Sequence, residues 1–142
     1  MKNYCTYSIS KVLSPNDAGE TGGHQAGFLV PKDPDILGFF PELGKDEKNP
    51  RVHLLFEDDS GEAWKFAFIY YNNKFFGGTR DEYRLTRMTS YFRSNNLSSG
   101  DEVFLGRDDE NRHYVWYERA NDISGDDTGV LKLGSSWKLI QR

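Results

Sequence analysis

The chain has little cysteine and no long apolar run. Its 142 residues include one cysteine, Cys5, which excludes an internal disulfide and fits a small buried side chain in a reducing compartment. No segment approaches the roughly 18 to 20 consecutive apolar residues that span a bilayer. Residues 1–4 also lack the apolar stretch of a secretory signal peptide. These absences predict one cytoplasmic domain, residues 1–142, without a membrane partner.

The chain has fewer basic than acidic side chains, 18 against 22, and the basic ones are unevenly distributed. The formal net charge is -4, which argues against a protein that binds nucleic acids through charge alone. Residues 62–100 nevertheless hold six Lys or Arg against three carboxylates, whereas residues 101–127 hold nine carboxylates against three arginines. A molecule with one basic side can bind DNA on that side only.

Motifs for metals and nucleotides are missing. The three histidines, His24, His53 and His113, lie far apart in unlike contexts, and no cysteine stands at zinc-ligand spacing. Residues 19–23 are rich in glycine but lack the Gly-Lys-Ser/Thr ending of a phosphate-binding loop. We therefore expect a binding function that needs no metal ion or other cofactor.

One pattern typical of metal-dependent nucleases does occur. Pro34 and Asp35 precede Asp46 and Lys48 in the order of a PD-(D/E)xK motif. That chemistry needs its carboxylates on adjacent strands, where they share a magnesium ion. Asp46 and Lys48 instead lie in a polar turn, so a magnesium nuclease is kept only as a minor alternative. A second alternative is a β-barrel that binds a small ligand or a peptide.

Short β-branched and aromatic segments separated by turn residues indicate a mainly β protein. Trp64, Phe66, Phe68 and Tyr70 alternate along one segment, which predicts the buried face of a strand. Strands are expected at residues 6–13, 26–30, 52–56, 63–71, 102–106, 114–118 and 137–140. About seven strands suggest a small barrel or pseudobarrel, which the last strand closes.

One or two short helices complete the predicted architecture. Asp33 and Pro34 have the chemistry of a helix N-cap and first position, and the helix is expected to end by Phe40. Thr89 is expected to cap a second helix that runs through Asn95, with its aromatic residues facing inward.

The most informative segment runs from Phe76 to Arg87. It places Arg80, Glu82 and Arg84 close to a glycine pair. Arginine can donate two hydrogen bonds to O6 and N7 of guanine, and glutamate can accept one from N4 of cytosine. The same composition also suits a solvated turn with incidental salt bridges, and the segment alone does not decide between the two.

A second polar loop connects the first two predicted strands. It is made flexible by three glycines, with Lys11 at its base and His24 near its tip. Two polar arms that project from a compact β core are what a clamp around a duplex requires.

These two segments resemble the N-terminal effector domain of EcoRII-like restriction endonucleases, a family that includes enzymes of the UbaLAI type. The resemblance is strong over residues 8–31 and 67–88 and weak after about residue 95. The spacing between Lys11 and His24 is also similar. Both motifs are long, so the probability that they agree by chance is small.

The resemblance implies a DNA-binding pseudobarrel, similar in shape to the DNA-binding domains of plant auxin-response transcription factors. It also implies two arms that grip the major groove, the first at residues 11–25 and the second at residues 78–87. The family has lysines where this chain has Gly78 and Tyr83, and either change can alter the sequence preference. The predicted DNA-binding residues are Lys11, Ser14, Asn16, His24, Gln25, Thr79, Arg80, Asp81, Glu82, Tyr83, Arg84 and Arg87.

The resulting hypothesis is a sequence-specific effector domain of a bacterial type II (IIE-like) restriction endonuclease. Its expected partners are double-stranded DNA, with a CCWGG-like site, and a covalently linked nuclease domain. We expect the isolated domain to be monomeric and to contain no catalytic residue. Cleavage, and the Mg²⁺ that it requires, would belong to the nuclease domain that is absent from this chain.

Overall fold

A computed structural model describes residues 4–19, 27–120 and 136–142 of the chain. Two α-helices lie within these residues, α1 (Pro34–Leu37) and α2 (Thr89–Ser94), with one turn of 3₁₀-helix at Asn73–Phe76. None of the described helices is long and apolar enough to cross a bilayer. The strands are β1 (Tyr7–Val12), β2 (Phe28–Val30), β3 (Arg51–Glu57), β4 (Ala63–Tyr71), β5 (Glu82–Thr86), β6 (Glu102–Arg107), β7 (His113–Glu118) and β8 (Trp137–Gln141).

The strands form one sheet in the order β2-β5-β4-β3-β7-β6-β1-β8. Neighbours pair antiparallel except β3 and β7, which pair in parallel at Phe56 and His113. The two end strands meet through side chains rather than through a backbone ladder. Trp137 of β8 donates from Nε1 to the carbonyl oxygen of Leu29 on β2 at 3.1 Å, and its ring packs edge-on against Phe28. We call this contact between β2 and β8 the seam of the pseudobarrel.

The inner face of the sheet is filled with aromatic rings. On β4, Phe66, Phe68 and Tyr70 are buried, as their alternation predicts, because successive side chains of a strand point to opposite faces. Tyr91 and Phe92 of α2 close one end of this core. Burying such rings is the main stabilising contribution that a chain of this size has available.

The mainly β pseudobarrel with two short helices is confirmed, with one strand more than expected. The additional strand is β5, where Glu82, Arg84 and Thr86 alternate with only two inward residues, Tyr83 and Leu85. So high a density of polar residues indicated a loop. The predicted last strand is present as β8, which pairs with β1 and contacts β2 at the seam.

Both predicted helices are present, but their ends differ from the predicted ones. Asp33 caps α1 as expected, because its Oδ1 accepts from the backbone N–H of Asp35 at 2.9 Å. The helix ends at Leu37 rather than at Phe40. In α2 the N-cap is Met88 and not Thr89, and it provides no side-chain cap hydrogen bond.

Gly27 fixes how the loop after β1 re-enters the sheet. A Cβ atom at this position would lie 2.3 Å from the carbonyl oxygen of Leu85 on β5. Only glycine allows the two backbones to approach so closely. Gly27, two residues after the first predicted arm, is therefore held directly against β5.

His113, at the start of β7, lies among aromatic rings. Its ring is 5.1 Å from Phe56 and 5.9 Å from Phe39, and its buried Nε2 has no hydrogen-bond partner among the described residues. Burial lowers the pKa of His113 to about 4; the charge of Arg107 adds to this effect and that of Asp108 opposes it. His113 is therefore neutral in the folded protein at neutral pH.

We expect His113→Phe to remove an acid-dependent loss of stability. Between the unperturbed pKa of 6.5 and the folded pKa of about 4, the unfolded chain binds a proton that the folded chain does not. The free energy of unfolding of the parent should therefore fall as pH falls through this window, by at most about 3 kcal/mol. Urea unfolding at several pH values between 7 and 5 measures this loss. His53→Phe, at an exposed site on β3, is the control, and a parent whose stability is constant across the window contradicts the assignment.

Candidate nucleic-acid interface

The second arm, residues 78–87, follows β4 and the 3₁₀-helix and includes β5. The 3₁₀-helix ends at Gly77, whose φ of 88° lies in the left-handed region that favours glycine. Thr79 and Arg80 follow in an exposed connection. Glu82 and Arg84, expected on a loop, lie on β5 instead. Arg84 is consequently held by backbone pairing on both sides, to β2 and β4, whereas Glu82 pairs with β4.

The alternation of β5 separates its side chains into two sets. Leu85 is fully buried in the core, and Tyr83 stacks on Tyr70 with ring centroids 4.2 Å apart. Glu82 and Arg84 point to the opposite face, where Arg84 lies between Leu29 of β2 and Ile69 of β4 in the sheet register. The structure therefore brings Arg84 together with Glu82 but places Tyr83, also predicted to bind DNA, on the inner side.

Glu82 is the centre of a three-residue cluster. Arg80 donates from Nη2 to Glu82 Oε2 at 3.3 Å, and Arg84 donates from Nη1 to the same oxygen at 3.1 Å. The guanidinium carbon of Arg80 also lies 3.8 Å from the ring centroid of Tyr71, a cation–π contact. Each arginine keeps N–H groups that these contacts do not use. Two forked donors and one acceptor are thus presented together on one face of β5.

The cluster is ionic at neutral pH. Burial raises the pKa of the Glu82 carboxyl, but the hydrogen bonds and charges of Arg80 and Arg84 outweigh burial, and the net effect is a lowered pKa. Glu82 is therefore a carboxylate that accepts hydrogen bonds and cannot donate them.

Asp81 is occupied by three donors of the protein. Its Oδ1 accepts from the hydroxyl of Tyr70 at 2.6 Å, and its Oδ2 accepts from the ammonium groups of Lys32 at 2.5 Å and Lys74 at 2.8 Å. The hydrogen bonds from Lys32, Lys74 and Tyr70 hold the pKa of Asp81 well below its usual range. The predicted DNA contact of this carboxylate therefore competes with three internal partners.

Thr79 and Arg87 remain available at the ends of the arm. Both residues are exposed, and Arg87 has a φ of 66°, which is uncommon for a side chain other than glycine. Arg87 makes no ion pair with any residue in the described part of the chain. Arg87 directly follows β5, at the end of that strand beside Gly27.

The first arm, residues 11–25, is described by the structure over residues 11–19. Lys11 is buried, and its ammonium donates to Asp17 Oδ2 at 2.7 Å and to the carbonyl oxygen of Val12 at 2.9 Å. Asp17 Oδ2 also accepts from the backbone N–H of Ser14 at 3.0 Å, and Ser14 Oγ accepts from the N–H of Asp17 at 3.1 Å. Lys11 and Ser14 therefore brace the arm internally.

The remaining predicted residues of the first arm are Asn16, His24 and Gln25. Asn16 is exposed in the turn at the base of the arm. His24 and Gln25 lie outside the described residues. The contacts predicted for these three with DNA stay predictions.

Sequence reasoning missed four residues of this region. Tyr71 supports Arg80, Asp17 holds Lys11, and Lys32 and Lys74 converge on Asp81. The outward alternation of β4 could have indicated Tyr71. Lys32 had no such signal, because its place beside Asp81 depends on the pairing of β2 with β5.

The geometry gives no support to the two alternatives. Asp35 lies on α1 and pairs with Arg142 at 3.3 Å, while Asp46 and Lys48 lie in an exposed bend, so the carboxylates are not on adjacent strands. No group of three or more His, Cys, Asp or Glu in the described ranges could hold a metal ion. A ligand-binding barrel needs interior space, and here aromatic rings occupy the described inner face.

Comparison with known proteins identifies a family and several relatives of this chain. Residues 2–111 match the family described as restriction endonuclease EcoRII, N-terminal. The chain is 40% identical over 89 residues to the type II restriction enzyme EcoRII of Escherichia coli, covering 61% of this chain and 21% of that enzyme. It is 29% identical over 136 residues to B3 domain-containing protein At2g36080 of Arabidopsis thaliana, covering 92% of this chain and 51% of that protein.

A solved structure shares the fold. It is described as an Arabidopsis FUS3-DNA complex and superposes with a TM-score of 0.60 at 20% identity, covering 78% of this chain and 95% of that chain. The chain spans about a fifth of the bacterial relative and about half of the plant relative. Since the family match covers most of the sequence, and the pseudobarrel agrees with it, the chain belongs to the EcoRII N-terminal domain family.

Proposed function

We propose that this chain binds double-stranded DNA in a sequence-specific manner, as the effector domain of a bacterial type II restriction endonuclease. The observation that carries the proposal is the cluster of Arg80, Glu82 and Arg84 on the solvent face of β5. Two arginine forks suit O6 and N7 of guanine, and a carboxylate suits N4 of cytosine. A site with G·C pairs, such as a CCWGG-like sequence, offers both.

The dimensions of β5 support a major-groove contact. A strand rises about 3.3 Å per residue, so the five residues of β5 span roughly 13 Å between their first and last Cα atoms. The major groove of B-DNA is about 12 Å wide. Gly27, which follows the first arm, lies beside one end of β5, and the second arm enters β5 at its other end. In this proposal the two arms contact the two walls of one groove.

Relatives of this chain support the same chemistry. The EcoRII enzyme of E. coli is named as a restriction enzyme, and the solved neighbour is a complex with DNA. In this proposal the chain acts as a reader, and cleavage and its Mg²⁺ belong to a linked nuclease domain outside these residues. As an isolated domain it would bind as a monomer, in the cytoplasm of a bacterium and without a cofactor.

Electrophoretic mobility shifts test the proposal. A duplex that contains a CCWGG site should be retarded more strongly than a scrambled duplex, and neither should be cut in Mg²⁺. Because the net charge is -4, few phosphates can be neutralised. The slope of log affinity against log salt should therefore be on the order of -3 to -6, from about 0.9 per phosphate contact.

Three outcomes would count against this function. A slope near zero excludes a DNA clamp, and equal retardation of both duplexes excludes sequence-specific recognition. Metal-dependent cleavage that disappears in Asp46→Ala would revive the nuclease alternative. If the parent binds its target selectively, selection of bound duplexes from a random pool identifies the preferred bases.

A further inference from the structure

We propose that Lys32 and Lys74 form a phosphate-binding pair on the flank of the second arm and that Asp81 positions them. The inference deepens the proposed function and rests on it. The two lysines come from separate elements: Lys32 follows β2, and Lys74 lies in the 3₁₀-helix after β4. Both ammonium groups contact a single oxygen, Oδ2 of Asp81.

The charges at this point do not cancel. Two ammonium groups face one carboxylate, so the trio of Lys32, Lys74 and Asp81 carries a net charge of about +1. The other oxygen of the carboxylate accepts from Tyr70, so three donors share the two oxygens of Asp81. Each ammonium has three N–H donors, and the contact with Asp81 uses one of them. The trio therefore retains donors and positive charge for an additional anion.

The remaining N–H donors of Lys32 and Lys74 lie in solvent, because both side chains are about half exposed. The side chains of Lys32 and Lys74 are 52% and 44% exposed, whereas that of Asp81 is 20% exposed. The carboxylate thus lies beneath the two ammonium groups and holds them together. Without the carboxylate, the two ammonium groups that now share one oxygen would repel each other. A lysine ammonium is a compact charge suited to phosphate oxygens.

The position of the trio relative to the reading cluster indicates which anion it binds. Asp81 precedes Glu82 in sequence and bonds to Tyr70, an inward residue of β4. Arg80, Glu82 and Arg84 lie on the other side of the strand. An arm with base-reading groups on one face and paired ammonium groups on its flank fits a groove in which phosphates line the wall. The ligand is therefore a phosphodiester of the DNA backbone.

Salt-dependent binding of the double variant Lys32→Gln/Lys74→Gln tests this assignment. Loss of the pair should reduce the magnitude of the salt slope by about 1 to 2. It should weaken binding to target and scrambled duplexes by the same factor, because phosphates carry no sequence information. Lys65→Gln, at an exposed site six residues before the end of β4, is the matched control and should leave the slope unchanged. Lys32→Arg/Lys74→Arg retains both charges and should retain the slope.

Asp81→Asn tests the positioning role separately from folding. It should reduce the slope in the parent and cause no further reduction in the double lysine variant. Melting temperatures of all variants give the fraction folded, which corrects the affinities. Tighter binding with a steeper slope in Asp81→Asn would mean that the carboxylate only screens the lysines, and this would overturn the positioning role.

The controls separate this inference from the function on which it rests. A parent that retards no duplex overturns the proposed function and this inference with it. A parent that binds its target, with a double lysine variant that keeps the parent slope, overturns the phosphate-binding pair alone.

Discussion

Replacing Lys11 with methionine is expected to lower the free energy of unfolding by about 3 to 5 kcal/mol. Methionine keeps most of the length of the side chain but removes the ammonium group. Asp17, which is 8% exposed, would then be left as a buried carboxylate without its ion-pair partner. Removing one partner of a buried pair is costly because the remaining charge stays desolvated. Thermal and urea unfolding of the variant measure the loss.

A matched substitution and a second variant control this result. Lys65→Met makes the same change at an exposed strand site and should alter stability by no more than about 0.5 kcal/mol. Lys11→Met/Asp17→Asn should be less destabilised than the sum of the two single variants, since neither charge remains buried alone. If Lys11→Met melts like the parent but loses DNA affinity and salt slope, the lysine instead leaves Asp17 to contact phosphate, as the family resemblance implies.

Arg80→Ala and Arg84→Ala should each reduce affinity for the target duplex at least about tenfold, because a bidentate base contact discriminates by about 1 to 3 kcal/mol. Affinity for a scrambled duplex should fall less. The physical reason is the geometry of the cluster, in which Tyr71 and Glu82 already orient the guanidinium groups before binding. Fluorescence anisotropy with both duplexes at one salt concentration provides the ratio.

Arg112→Ala is the control for these arginine variants. Arg112 lies in the turn between β6 and β7 and bonds to Asp108 there, so its loss should leave the ratio of the two affinities unchanged. Glu82→Gln keeps the shape of the side chain but removes the charge that both arginines contact, and it should also reduce discrimination. Equal losses on target and scrambled DNA in Arg80→Ala and Arg84→Ala would mean that both groups contact phosphates only.

The elements with a regular sequence pattern or a local cap could be predicted from the sequence. In β4 every second residue from Trp64 to Tyr70 is aromatic, which predicts the burial of that face, and Ala67 and Ile69 on the other face are buried as well. The cap of α1 could be predicted in the same way, since Asp33 and Pro34 act through their own neighbours. Local chemistry decides such elements.

The features that depend on distant partners could not be predicted. Lys11 looks like an exposed basic residue at a loop base until Asp17 is seen to fold back over it. Similarly, β5 is stable as a strand because β2 and β4 flank it, although its own composition is polar. The role of Asp81 needs a lysine 49 positions earlier in the chain. Contacts between residues so far apart in the sequence depend on the fold and cannot be predicted from a short segment.

The seam between β2 and β8 gives the barrel a preferred place to open. An indole hydrogen bond and ring contacts join the two strands there, without a backbone ladder, and β2 has only three residues. Amide protons at this seam should exchange with solvent faster than those of β1 and β6, which pair along six residues. Brief opening would loosen β2 from the barrel while it still borders Arg84 through Leu29. The surface proposed to face DNA thus borders the edge of the sheet where opening is expected, and opening there would separate Phe28 and Trp137 of the aromatic core.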